Sequence, residues 1–261
     1  MRTLKQGHKG EDVRYLQYLI RKKLDIPIAI DGSFGPGTTA MVKKAQAYMD
    51  LKPDGIVGPI TQRAIGLSYF RVNVYDPSQV WFAGTPYGAT VKPLYSLKAW
   101  AIKEKADKVF NLAFFNMGGV GSDEYGPIRG RTLTYLKAKG YDVGYGGTKE
   151  RIHIDSKNIC AGYKLAVKNG SRGWVSSIGK RCRNANGLLA DGRYFHVQSV
   201  TKSTEKAIVD YMIAHYDVDL MLIQDSGGST GEYDSKLDVL LAGEREGLNG
   251  RPVASVVCVK E

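Results

Sequence analysis

A small all-α domain of three helices, followed by a larger α+β domain, is the fold class this sequence predicts. Three observations predict it. Apolar residues recur at helical spacing over 11–24 and 38–49, and a short Asp-Gly-x-x-Gly-Pro segment occurs twice among them. From about residue 70 the pattern changes to strand-like runs mixed with one clear helix.

In the first domain, Val13, Leu16, Leu19/Ile20 and Leu24 mark one helix, with acids in its first turn and Arg21-Lys22-Lys23 in its last, as the helix dipole favours. Met41, Ala45, Tyr48 and Met49 mark a second. Asp31-Gly32-Ser33-Phe34-Gly35-Pro36-Gly37-Thr38 answers to Asp54-Gly55-Ile56-Val57-Gly58-Pro59-Ile60-Thr61. Each copy supplies a turn and then a proline suited to the first position of a helix. The unit is therefore built from two related halves.

Leu4, Gly7, Gly10, Asp12-Val13, Leu16-Gln17, Leu19, Asp31-Gly32, Phe34-Gly35, Thr38, Gln46 and Asp54-Gly55-Ile56-Val57-Gly58 resemble the common peptidoglycan-binding domain of bacterial and phage wall hydrolases, across residues 4–65. Most of these are core or turn positions. The resemblance implies a shallow groove beside the repeated loops, and Asp31, Phe34, Asp54 and Val57 are the residues expected to line it. A linker near 66–69 separates this domain (1–67) from the second (70–261).

Strand-like runs in the second domain are 71–75, 108–115, 162–167, 218–224 and 252–259. The helix covers 204–216, with Ser203 or Thr204 as its cap. That helix leads into Val218-Asp219-Leu220-Met221-Leu222-Ile223, which runs straight into Gln224-Asp225-Ser226-Gly227-Gly228-Ser229-Thr230. A buried strand fixes a carboxylate, and glycines after it let backbone N–H groups converge on an anion. From the motif alone a tight turn capped by Asp225 is the better reading, because Asp-x-Gly-Gly is common in loops.

Asn111-Leu112-Ala113-Phe114-Phe115, Arg183-Asn184-Ala185, the Asp225 loop and Arg251-Pro252-Val253 occur in that order. Together they resemble the phosphodiester glycosidase (uncovering-enzyme) family, which carries Asn-Gly-Gly-Phe-Phe, Arg-Thr-Ala, Asp-Gly-Gly-Gly-Ser and Arg-Pro-Val segments. The resemblance implies Asp225 as general base or nucleophile, and Arg183 as partner of a phosphate or developing negative charge. It implies Asn111 and Gly227-Gly228-Ser229 as groups that position the sugar and stabilise the transition state. Thr230, Phe115 and Arg251 are further substrate contacts on this reading. Leu112-Ala113 and Ser226 stand where the family has glycines, so the substrate can differ from the family's.

Other patterns carry less. Four dispersed histidines lack His-Glu-x-x-His spacing, and Glu124 and His196 are held as reserve acid/base groups. Cys160, Cys182 and Cys258 make neither a disulfide framework nor a metal ribbon. No cofactor is predicted, and a need for a divalent cation is left open.

With 43% hydrophobic and 24% charged residues, the chain has the balance of a globular protein with a core. Its +11 charge, from 37 Lys+Arg against 26 Asp+Glu, favours polyanions such as teichoic acid. The bases are scattered and match no nucleic-acid signature, and no apolar run reaches transmembrane length. No signal peptide is visible behind Met1-Arg2. The expectation is a phage-endolysin-type hydrolase made in the host cytoplasm, released through a separate pore-forming protein and acting at the wall. It would bind peptidoglycan and cut a glycosidic or glycosyl-phosphodiester bond. A muramidase or amidase, and a non-catalytic wall-binding phage component, are the alternatives.

Overall fold

The structure, a computed structural model, describes residues 1–84, 94–112, 127–129, 151–155, 158–162, 164–242, 252–253 and 255–261. It divides into two compact units, Met1–Arg71 and Val72–Glu261. The first is all-α and the second α+β, as the residue patterning predicts.

The first unit contains α1 (Glu11–Leu24), α2 (Pro36–Tyr48) and α3 (Pro59–Ile65). Helix α1 buries Val13, Leu16, Leu19 and Ile20. Gly35 and Gly58 precede α2 and α3 in extended conformation, each followed by proline at the first helical position.

The sequence repeat is a repeat of hydrogen bonds. Gln17 Nε2 donates to Asp31 Oδ1 at 2.9 Å, Ser33 O at 3.1 Å and Thr38 Oγ1 at 3.1 Å, while its Oε1 accepts from Gly32 N at 2.8 Å. Gln46 does the same with Asp54 (2.9 Å), Ile56 O (3.0 Å), Thr61 (3.2 Å) and Gly55 N (2.8 Å). Gly32 (φ 74°) and Gly55 (φ 79°) occupy the left-handed region, where a side chain would be strained. Each buried amide thus replaces the backbone ladder that a tight loop lacks. Truncating Gln46 to Ala strands the Gly55 N–H and Thr61 hydroxyl. The expected loss is about 1–3 kcal/mol of stability, read from chemical denaturation of the full chain.

These loops correct part of the expected groove. Phe34 and Val57 are fully buried, and Val57 exchanges backbone hydrogen bonds with Leu4 (3.1 and 2.8 Å). Both are core residues, unable to line a surface. Asp31 and Asp54 organise their loops, accepting from Ser33 N and Ile56 N at 2.8 Å. The apolar side chains exposed beside the second loop are Ile56 and Ile60.

The second unit opens with β1 (Phe70–Tyr75), which crosses the boundary, and continues with β2 (Val80–Gly84), α4 (Leu97–Glu104) and β3 (Lys108–Asn111). A small sheet holds β4 (Pro127–Arg129), β5 (Arg151–His153) and β6 (Asn158–Ala161). Next come β7 (Lys164–Lys168), β8 (Ser171–Arg172), β9 (Asn184–Leu189) and β10 (Tyr194–Ser199). Helix α5 (Glu205–His215) then leads into β11 (Val218–Ile223). The chain finishes with β12 (Gly231–Asp234), β13 (Val239–Ala242) and β14 (Ser255–Val259).

Two antiparallel-paired sheets result: β1-β10-β9-β11-β7-β8 and β13-β12-β3-β14-β2. Between them pack Tyr75, Phe82, Phe110, Leu112, Tyr194, Leu222 and Val257. Helix α4, capped by Ser96, covers the other face of the second sheet through Leu97, Trp100 and Ala101, against Val109, Val256 and Cys258. Helix α5 buries Ile208, Val209 and Met212. The strand expected at 162–167 is β7, beginning at Lys164, and Gly162 before it lies against Leu222, where a Cβ would be 2.5 Å from the Leu222 side chain. Helix α4 was not foreseen, because Trp100 and Leu97 sit in a segment with little helical periodicity. The described parts of the remaining runs and the α5 helix agree with the sequence reading to within a few residues.

Candidate functional site

The layer between the two sheets changes character along its length. Toward the end of β11 its apolar side chains give way to Asn111, Asn184, Asn186, His196, Gln198 and Gln224, all buried. The strand period explains this: Asn184 lies opposite Gln198, and Asn186 is flanked by His196 and Leu222, so all point to the same inner face. Burying amides is costly unless they bond one another, and these do. Gln224 Nε2 donates to Asn186 Oδ1 at 2.7 Å, and Asn186 Nδ2 to Tyr194 Oη at 3.0 Å. Asn111 Oδ1 accepts from Asn184 Nδ2 (3.1 Å), Gln198 Nε2 (3.4 Å) and Gly231 N (3.1 Å). Asn111 thereby ties β3 and β12 of one sheet to β9 and β10 of the other.

The network is incomplete in a specific place. Among the described residues, Asn111 Nδ2, Asn184 Oδ1 and Ser229 Oγ are buried and have no hydrogen-bond partner. Native interiors rarely leave such polar atoms unmatched.

Asp225 follows directly on β11 and is 8% exposed. Its N–H donates to Leu112 O (3.1 Å) across to the other sheet, one residue beyond Asn111, and its Oδ1 accepts from Ser226 N at 2.8 Å. Gly227, at φ 72°, turns the chain, with its N–H donating to Cys182 O at 2.8 Å. Gly228 and Ser229 complete a single 3-10 turn, and Thr230 Oγ1 donates to Cys182 O at 3.3 Å. The structure therefore brings Asn111, Asp225, Gly227, Gly228, Ser229 and Thr230 together. Phe115, Glu124 and Arg251 lie outside the described residues.

Three expectations change. Arg183 stands at the start of β9 with its guanidinium already engaged: Nε donates to Ser203 O (3.2 Å), Nη1 faces Glu205 Oε1 (3.4 Å), and Nη2 donates to Gly179 O. A fork that faces a buried carboxylate is an anchor for the 176–181 segment rather than a phosphate clamp. His196 is fully buried and its ring stacks on Phe110, ring centroids 4.3 Å apart, so it packs within the layer rather than standing at its rim. The Gly227 N–H is spent on Cys182 and does not face an anion. Sequence reasoning missed Asn184, Asn186, Gln198 and Gln224. The signal was available as polar residues alternating within strand runs, which ordinarily marks a solvated face.

Glu205, at the start of α5, binds the rim of the site together. Burial alone would push its carboxyl up, but Lys164 Nζ at 2.7 Å, Ser176 N–H at 3.0 Å and Arg183 hold it below its ordinary value of 4.5. A depressed folded-state pKa contributes stability that is present above the unfolded value and lost as pH falls through the folded one. Acid titration of unfolding should show that limb, and Glu205→Gln should flatten it below about pH 4.

No helix among the described residues is long and apolar enough to cross a membrane. Among solved structures, the chain is similar to the catalytic domain of zebrafish N-acetylglucosamine-1-phosphodiester alpha-N-acetylglucosaminidase, auto-inhibited by its pro-peptide. The identity is 11%, with a TM-score of 0.46, covering 74% of this chain and 84% of that one. It is also similar to a hypothetical protein from Synechocystis, at 11% identity and a TM-score of 0.43, covering 73% of this chain and 58% of that one. Among curated proteins, the zinc D-Ala-D-Ala carboxypeptidase of Streptomyces albus G is 44% identical over 61 residues, 23% of this chain and 24% of that protein. An uncharacterized protein of Kitasatospora aureofaciens is 46% identical over 59 residues, 22% of this chain and 50% of that protein. The chain thus matches half or less of either relative's length. Residues 9–65 match the family described as "Putative peptidoglycan binding domain", and the chain carries a peptidoglycan-binding domain at its N-terminus.

Proposed function

We propose that this protein is a cell-wall-lytic hydrolase of the endolysin kind, whose second unit cuts a glycosidic or glycosyl-phosphodiester bond in the envelope. The observation that carries the reading is the buried amide layer beneath Asp225, with three polar atoms left unmatched. Such a floor suits a ligand rich in hydroxyl and amide groups, which a sugar of the wall is. Asp225, on rigid backbone at the rim, serves as general base or nucleophile. Asn111 and Asn184 position the sugar, and the Ser229 hydroxyl supplies a further hydrogen bond to it.

The first unit tethers the second at the wall and raises its effective concentration there. The positive charge adds attraction to teichoic acid. A phage origin, with escape through a pore made by another protein, belongs to the same reading. The zinc carboxypeptidase shares its resemblance over a length typical of the wall-binding unit, which supports the location of action more than the bond.

Mass spectrometry of purified walls digested with the full chain tests the proposal. New reducing ends or released phosphate-bearing glycans are the expected products. Freed stem peptides without either would make the second unit an amidase or peptidase. Walls that bind the protein and remain intact would make it a binding module.

A further inference from the structure

An open indole stands at the end of the sheet that carries Asp225. Trp174 is 78% exposed, and Ile178, four residues on, is exposed to the same degree. Tryptophan is on average a highly buried residue, so an indole this open is unusual. The segment carrying them is held firmly. Ser176 N donates to Glu205, Lys206 N to Ser176 O at 3.0 Å, Arg183 to Gly179 O, and Arg181 pairs with Ser203. One face of the indole meets the Lys164 ammonium, 4.5 Å from the ring centroid, which Glu205 fixes from behind.

The register locates this loop. Lys164 lies opposite Ile223, and Ile223 opposite Ala185, so Lys164, Arg183 and Asp225 gather at one end of the same sheet. Through Lys164, Trp174 stands at that end on the α5 side of the sheet, the face opposite to Leu165 and Leu222. Residues 171–181 contain no acid, and Lys180 and Arg181 are exposed.

We propose that Trp174 is a stacking platform for the glycan chain continuing outward from the sugar held at Asp225. This rests on the reading of Asp225 as the centre of a glycan-cleaving site. An indole offers a flat, rigid, apolar face to the C–H side of a pyranose while sugar hydroxyls stay in water. Its ordering costs little because the loop is already anchored. The basic neighbours favour a chain bearing carboxylate or phosphate.

All three tryptophans, Trp81, Trp100 and Trp174, lie beyond Arg71, so indole emission arises in the second unit. Trp100 is buried and Trp81 half-buried, which leaves Trp174 as the indole open to a ligand. The test titrates the full chain with soluble peptidoglycan glycan strands freed of stem peptides. Emission should shift and saturate. Trp174→Ala should abolish the shift and raise KM on long strands roughly three- to tenfold with kcat unchanged, while Trp174→Phe restores most of the affinity. No shift in the unaltered protein, or a full shift in Trp174→Ala, overturns the platform. If the shift is seen but Asp225→Asn remains active, the platform stands and the catalytic reading falls. If Asp225→Asn is inactive and the shift is absent, the platform alone falls.

Discussion

Asp225→Asn is expected to lower the rate of wall clearing by roughly 10²–10⁴-fold while leaving the folded structure intact. The amide is the same size as the carboxylate, and its oxygen can still accept from Ser226 N. The backbone bond from Asp225 N to Leu112 O, which joins the two sheets, does not involve the side chain at all. What disappears is the negative charge and the ability to take a proton or attack carbon. Turbidity of purified walls measures the rate, and circular dichroism with thermal unfolding checks the fold. Unchanged clearing would remove Asp225 from the mechanism. A companion change, Asn111→Ala, separates positioning from chemistry: it deletes the acceptor shared by Asn184, Gln198 and Gly231, and should cost stability as well as rate.

Much of the fold is legible in the sequence because its local signals agree. Glu11–Leu24 has dipole-matched charges and a single apolar face, and its bounds are those read from the spacing. The Asp225 turn is readable because an apolar strand running into Gly227-Gly228 leaves few other conformations. What stays hidden is decided by tertiary contacts. Phe34 and Val57 lie in loops that look exposed, and only the pairing of Val57 with Leu4 shows them as core. Arg183 stands where an anion-binding arginine is expected. Its carboxylate partner, Glu205, arrives 22 residues later on a helix whose packing cannot be read from spacing. The amide layer is hidden for another reason. Asn184, Asn186, His196 and Gln198 alternate as a solvent-facing strand would, and it takes the second sheet to bury them.

Lys108→Met should be the most destabilising single change among the charged residues of β3's surroundings. Lys108 is nearly buried, its side chain 5% exposed, with Nζ 3.5 Å from Glu232, 3.1 Å from Glu261 and 3.2 Å from Asn73 Oδ1. Glu232 is itself 2% exposed. Removing the ammonium leaves a carboxylate in the interior without its counter-charge, a loss of about 3–5 kcal/mol. Burial also pushes the neighbouring Tyr75 hydroxyl well above its usual range, with Lys108 opposing the shift. The pair Lys108→Met with Glu232→Leu should recover most of the loss, because two apolar groups of similar size avoid the desolvation cost altogether. Urea denaturation of the two variants beside the unaltered protein decides it. Equal stability of the single and double variants would mean that the pair is not what holds β3 to β12. The test bears on the site as well, since β3 carries Lys108 at one end and Asn111 at the other. A double variant that is stable yet slow on walls would show that the ion pair fixes where Asn111 sits, rather than how tightly the chain folds.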